Sequence, residues 1–169
     1  MKILLPVDGS PGSLAAVRHA LAWAGGGLPV GVVLVNVQEP PSLYEVVVAH
    51  DADLIDRVRR SAGLDQLREA EALVKAAQVD RELEVVGGDP RHRLIEAIET
   101  HGCDAVVMGA RGNGALTQGG LGSVALAVGQ HSPVPVTVVP MALDAEDRPD
   151  VVADDASAIS EEEDAPIGR

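Results

Sequence analysis

A glycine-rich segment, GARGNGALTQGGLGS, covers residues 109–123 and holds the residues best suited to bind a ligand. It follows an apolar run and precedes a stretch with helical character, so it joins a predicted strand to a predicted helix. Gly109, Gly112 and Gly122 lack a β-carbon, which lets them take positive φ angles and lets backbone N–H groups approach an anion. Ser123 stands where the helix begins, and helix N-termini favour phosphate. From the spacing alone, a flexible connector in which Ser123 caps the helix explains these residues equally well.

A second candidate lies in the sequence PVDGS, where Asp8 follows the first apolar run of the chain. In an open parallel sheet, ligands bind beyond the carboxyl ends of the strands, where the strand order reverses. If the first and fourth strands are neighbours, Asp8 and the segment that begins at Gly109 border the same crevice. The sequence therefore predicts a binding site between these two loops.

Motifs typical of other nucleotide sites and of common enzymes are missing from the sequence. It contains no G-x-x-x-x-G-K-[ST], and Gly9 and Gly12 do not form G-x-G-x-x-G. Ser10 does not lie in a nucleophile elbow, and neither H-E-x-x-H nor C-x-x-C occurs. We therefore expect no catalytic residues, and no metal site built from side chains.

Short apolar runs alternate with amphipathic stretches, which predicts an α/β fold with a doubly wound parallel sheet. The runs predict strands at residues 2–7, 30–37, 82–86, 105–108 and 134–139. Helical spacing predicts helices over residues 14–24, over residues 52–78, after Pro90 as far as Gly102, and from Ser123. Ser10 followed by Pro11 indicates the start of the first helix, and Gly63 is a candidate break in the second.

Pro135 lies inside the last predicted strand, where proline is tolerated mainly at a sheet edge. The free backbone groups of an edge strand can pair with another chain. We therefore expect a homodimer formed through the last strand, Val134 to Val139.

The composition is typical of one soluble domain in a reducing compartment. Of the 169 residues, 46% are hydrophobic but only 1% are aromatic, so the core is expected to consist of Val, Leu, Ile and Ala. The single cysteine, Cys103, cannot form an internal disulfide, and no apolar run approaches the roughly 20 residues that cross a bilayer. We expect a cytoplasmic protein with no signal peptide and no membrane partner. A net charge of −13 without a basic stripe argues against nucleic acid as a partner.

Acidic residues are concentrated at the C-terminal end of the chain. Residues 144–169 contain ten acidic residues against two arginines, with few large apolar side chains. Such a composition does not offset the entropy of ordering, so we expect residues 1–143 to form the domain and residues 144–169 a disordered tail. Solubility explains the charge of the tail more simply than a partner-binding arm does.

The sequence resembles the universal stress proteins of the ATP-binding type. That family carries the pattern G-x2-G-x9-G-[ST] after its fourth strand, and Gly109, Gly112, Gly122 and Ser123 match it without a gap. ILLPVDGS, DAVVMGARGNG and GSVALAVGQHSPVPVTVVP resemble the family's opening, its fourth strand and loop, and its last helix and strand. The resemblance covers residues 1–141 and is weakest over residues 38–80. It implies a five-stranded sheet of order 3-2-1-4-5, similar to the Rossmann fold.

The resemblance also implies a ligand, an adenine nucleotide such as ATP, ADP or AMP, with Mg²⁺ held through phosphate oxygens and water. Asp8 would accept hydrogen bonds, and Val37 would help close the adenine pocket. From the adenine end to the phosphate end, the implied contacts are Pro6, Val7, Asp8 and Val37 (adenine and ribose), Met108 and Gly109 (ribose), and Arg111, Gly112, Gly122, Ser123 and Val124 (phosphates).

The resemblance favours a regulatory stress-response protein that binds ATP, and not an enzyme. Two alternatives stay open at this point: a slow ATPase or phosphotransferase that uses the same pocket, and a structural dimer without nucleotide. The sequence departs from the family at Gly119 and Gly120, where relatives often have larger apolar residues. This difference would make the loop more mobile and weaken phosphate binding.

Overall fold

Five strands and four helices alternate along the part of the chain that the computed structural model describes, residues 1–40, 52–113 and 121–140. Their bounds are β1 (Lys2–Pro6), α1 (Pro11–Gly25), β2 (Gly31–Gln38), α2 (Ala52–Ala76), β3 (Asp80–Gly87), α3 (Pro90–His101), β4 (Ala105–Gly109), α4 (Ser123–His131) and β5 (Val136–Val139). The predictions for Gly119, Gly120, the domain boundary at residue 143 and the acidic tail fall outside the described residues.

The strands form one parallel sheet of order β3-β2-β1-β4-β5, which confirms the fold predicted from the sequence. Successive residues of β1 point to opposite faces, so Ile3 and Leu5 pack with α1 and α2 while Leu4 packs with α3 and α4. Both faces are therefore buried, as is usual for a parallel sheet. Within the described ranges, no helix has the length and apolar character needed to span a membrane.

Two helices begin and end at the residues that the sequence indicated. The Ser10 hydroxyl oxygen accepts a hydrogen bond from the Ser13 backbone at 3.2 Å, and Pro11 occupies the first position of α1. Asp89 caps α3 in the same way, and Gly102 ends it with a φ of 59°. A left-handed residue is the usual end of a helix, and glycine adopts that conformation without strain. These caps fix the directions in which α1 and α3 leave the sheet.

Two local predictions were wrong. Helix α2 is continuous through Gly63. The glycine allows close packing, because a β-carbon there would lie 2.8 Å from the Asn36 Oδ1 atom and would collide with Val85. Pro135 precedes β5 and does not lie within it, although its carbonyl oxygen accepts a hydrogen bond from the Val106 backbone at 2.9 Å. The position of β5 at the sheet edge is nevertheless as predicted.

Candidate functional site

A cavity of about 440 Å³ lies at the carboxyl end of the sheet, where β1 and β4 are neighbours. The strand order reverses between these two strands, so the loops that follow them face each other across the cavity. All eleven residues predicted as nucleotide contacts line it: Pro6, Val7, Asp8, Val37, Met108, Gly109, Arg111, Gly112, Gly122, Ser123 and Val124. The structure thus brings together residues that are more than 100 positions apart in the chain.

The glycines of this region serve close backbone packing, and the prediction of positive φ angles for them was wrong. Among the described glycines, only Gly9, Gly27, Gly88 and Gly102 have positive φ. A β-carbon at Gly109 would lie 2.7 Å from the carbonyl carbon and oxygen of Gly12, and one at Gly12 would collide with the Arg111 carbonyl oxygen. The first turn of α1 therefore packs directly against the end of β4 and its loop.

Asp8 links the two loops that border the cavity. Its Oδ1 atom accepts a hydrogen bond from the Ser10 backbone at 3.0 Å, and its Oδ2 atom accepts one from the Asn113 backbone at 2.9 Å. A β-carbon at Gly112 would collide with Oδ2, so only glycine allows this approach. Burial alone would raise the pKa of Asp8, but hydrogen bonds from Ser10 and Asn113 outweigh it and hold the pKa below its ordinary value. Asp8 is therefore ionised at neutral pH.

The N-terminus of α4 forms the opposite wall of the cavity. Gly122 is the N-cap and supplies no side-chain hydrogen bond, whereas Ser123 is the first helical residue, so the reading of Ser123 as the cap was wrong. The first hydrogen bond of the helix runs from Leu126 N to Gly122 O at 3.0 Å. The backbone N–H groups of Ser123, Val124 and Ala125 donate to no acceptor within residues 1–40, 52–113 and 121–140. Three donors and the positive end of the helix dipole are thus available to an anion.

The remaining wall, at the ends of β1, β2 and β4, is apolar. It includes Val7, Val37 and Met108, together with Leu94 of α3. Val7 and Met108 are nearly fully buried, so this wall is part of the core and holds a fixed shape. The cavity therefore combines an apolar end with an end that offers free backbone N–H donors. Asp8 belongs to the lining of the same cavity.

Asn36 supports this wall from behind. Its side chain, 1% exposed, donates hydrogen bonds of 2.7 Å to the Val7 carbonyl oxygen and to the Gln66 Oε1 atom of α2. Its own oxygen accepts a hydrogen bond of 2.6 Å from Gln38. The end of β1 is thereby connected to α2 through a fully satisfied polar network.

The sequence matches the universal stress protein family over residues 1–140. This chain belongs to that family. It is 29% identical over 138 residues to universal stress protein MJ0531 of Methanocaldococcus jannaschii. The aligned residues make up 82% of this chain and 81% of that protein. The structure of the hypothetical protein MJ0577 is similar with a TM-score of 0.71 and 25% identity, over 85% of this chain and 97% of that one. A universal stress protein solved in complex with cAMP has a TM-score of 0.57 and 25% identity, over 83% and 96%.

Several residues of the cavity were missed by reasoning from the family motif. Asn113 falls among the nine spacer positions of the pattern, and Pro90 and Leu94 belong to a helix whose approach to the site the sequence does not reveal. Asn36, which lies behind the wall and does not line the cavity, carried a signal in the sequence, because an asparagine inside the apolar run at residues 30–37 needs a buried partner. The other missed lining residues are Ser13, Val35, Glu39, Ala110 and Ala125.

A second hollow, of about 660 Å³, lies at the opposite end of the sheet, beside the amino ends of β2 and β3. Its described lining includes Leu21, Leu28 and Val79, and its only charged residue is Asp80. Among the described residues that line it, none belongs to the first turn of a helix, and it lies away from the carboxyl ends of the strands. The smaller cavity is therefore the better candidate for a functional site in this universal stress protein fold.

Proposed function

We propose that this chain binds an adenine nucleotide, in the first place ATP, and acts as a regulatory stress-response protein. The observation that carries the proposal is the gathering of all eleven implied contact residues around one cavity. The volume of about 440 Å³ is within the range usual for small-molecule sites. A relative solved in complex with cAMP supports an adenine nucleotide as the class of ligand.

The apolar end of the cavity and the end at the α4 N-terminus together favour one orientation of the nucleotide. The apolar wall formed by Val7 and Val37 suits the adenine ring, because a flat apolar base gains most where water is already excluded. The uncapped N-terminus of α4, with the Ser123 hydroxyl, suits the phosphates. The sugar would then lie between these ends, beside Asp8, and its hydroxyl groups would donate hydrogen bonds to the Asp8 carboxylate. Arg111 and Gly112 complete the phosphate end.

Mg²⁺ would enter with the phosphates, which supply its oxygen ligands together with water. Within residues 1–40, 52–113 and 121–140, no three His, Cys, Asp or Glu side chains come together as a metal site. We therefore assign no residue of the chain to the metal.

Binding without rapid turnover fits the chemistry of this site. Asp8 is the carboxylate that links both loops, but its lowered pKa makes it a weak base, and its oxygens already accept backbone hydrogen bonds. We propose that the nucleotide instead biases a homodimer formed through β5, whose outer edge is unpaired in the described sheet. Bound and free forms would then differ in the surface that they offer to a partner.

The test is calorimetry with ATP and Mg²⁺ on the wild type, Asp8→Ala and Gly112→Val, with Gly129→Ala on the exposed part of α4 as the control. We expect the first two variants to lose at least tenfold in affinity, because one removes the acceptor and the other forces Asp8 away. Equal affinity in all four proteins would overturn the assignment of the site. Phosphate release measured on the wild type and on a further variant, Ser123→Ala, would replace the regulatory function by an enzymatic one if it is fast in the wild type and abolished in Ser123→Ala.

A further inference from the structure

Asn113 contacts Asp8 through two separate hydrogen bonds. Its backbone N–H donates to the Asp8 Oδ2 atom at 2.9 Å, and its side-chain Nδ2 donates to the Asp8 carbonyl oxygen at 2.8 Å. We call this pair of bonds the Asp8–Asn113 clasp. The two residues are 105 positions apart, and the clasp is a polar connection between the loop after β1 and the loop after β4. Asn113 is therefore placed to control both the backbone and the side chain of Asp8.

We propose that Asn113 is a positioning residue for the ribose, which it serves by holding the Asp8 carboxylate in place. This inference rests on the proposed function, because it assigns a role within the same nucleotide site. A carboxylate accepts about four hydrogen bonds, and two backbone donors hold one position on each oxygen of Asp8. The hydroxyl groups of a sugar would compete for the other positions only with the hydroxyl groups of Ser10 and Ser13. The directions in which these positions point depend on the clasp, because the next residue, Gly9, has no side chain to restrict the backbone and has a φ of 77°.

The clasp also helps to keep Asp8 ionised, together with the hydrogen bonds from Ser10 and Ser13. Its backbone donor from Asn113 contributes to the lowered pKa of Asp8, and an ionised carboxylate binds a hydroxyl group more strongly than a neutral acid does. Asn113 itself is exposed, so its side chain adds little to the core. Its side-chain bond therefore serves the geometry of the site more than the stability of the fold.

The variant Asn113→Asp tests this role, because it keeps the size of the side chain while it replaces the donor by a carboxylate. The new charge repels both the carbonyl oxygen and the carboxylate of Asp8. Asn113→Ala removes only the donor and adds no charge. The matched control is Gln130→Glu, the same amide-to-acid change at an exposed position of α4.

The measurement is the affinity of each protein for ATP and for 2′,3′-dideoxy-ATP. We expect the wild type to bind ATP about tenfold more tightly than the dideoxy analogue, since the hydroxyl groups donate to a charged acceptor. In Asn113→Asp this ratio should fall below about twofold, and in Asn113→Ala it should lie between the two. Repulsion between the new charge and the phosphates lowers both affinities and cancels in the ratio. A ratio unchanged in both variants would overturn the proposal.

A second measurement needs no nucleotide, namely the titration of the Asp8 carboxyl carbon by NMR. The pKa of Asp8 should be highest in Asn113→Asp, intermediate in Asn113→Ala and lowest in the wild type and Gln130→Glu. The new charge of Asn113→Asp raises this pKa by itself, so Asn113→Ala is the deciding variant: an Asp8 pKa equal to that of the wild type there would show that the clasp does not act on the carboxylate. If the pKa changes as expected but the wild type binds no ATP, the proposed function fails and the ribose role with it, while the clasp itself is established.

Discussion

A single methyl group added at Gly109 is expected to destabilise the protein, because the end of β4 lies against the first turn of α1. A β-carbon at Gly109 would lie 2.7 Å from the carbonyl carbon and oxygen of Gly12 and 3.1 Å from the Ser13 nitrogen. All three are backbone atoms, so no change of rotamer relieves the clash, and α1 has to move by several tenths of an ångström. Overpacking of this kind costs about 1–3 kcal/mol in the free energy of unfolding.

Urea and thermal unfolding of Gly109→Ala measure this cost. For a domain of this size, about 1 kcal/mol corresponds to roughly 4 °C, so the melting temperature should fall by roughly 4–12 °C. The matched control is Gly129→Ala in α4, where an added β-carbon meets no atom within 4 Å. Alanine there should stabilise the protein by about 0.5–1 kcal/mol, because it favours the helix. If Gly109→Ala unfolds together with the wild type or with the control, the packing argument is refuted.

Two further predictions concern the network behind the site and the cap of α3. Asn36→Leu should lower the free energy of unfolding by about 1–3 kcal/mol in urea, because Val7 O loses its buried donor; unchanged unfolding would contradict the role of the network. Asp89 accepts hydrogen bonds from the Arg91 side chain and backbone, which lower its pKa from 3.8 to about 2. Its contribution to stability is therefore complete above about pH 4 and is lost as the pH falls towards 2. The gap in melting temperature between the wild type and Asp89→Asn should close over this range; a gap that is constant with pH would refute the linkage.

Much of the fold was predictable because its signals are local. Apolar runs separated by helical periodicity located all five strands, and Ser10, Asp89 and Gly102 marked helix ends through their own hydrogen bonds or backbone conformation. Errors occurred where a residue has a non-local reason to be present. Gly63 looked like a helix break but makes room for Asn36 and Val85, which lie on neighbouring strands.

The candidate site was also predictable only in part. Its members could be named from the family pattern, since Gly109, Gly112, Gly122 and Ser123 recur at the required spacing. The reason for each glycine could not be predicted, because it depends on which atom of a distant loop lies opposite that glycine. Gly109 faces Gly12, and Gly112 faces Asp8. Asn113 was missed for the same reason, since its partner is 105 positions away.

The sequence by itself determined the order of the elements, the two-sided apolar sheet and the residue types that a nucleotide site requires. The first two follow from periodicity, capping and composition, which are properties of neighbouring residues, and the third was implied by the resemblance to the family. Only the tertiary structure decided how the loops after β1 and β4 are joined. The Asp8–Asn113 clasp and the contact between Gly12 and Gly109 exist because β1 and β4 pair side by side, and no local pattern encodes which atoms then meet.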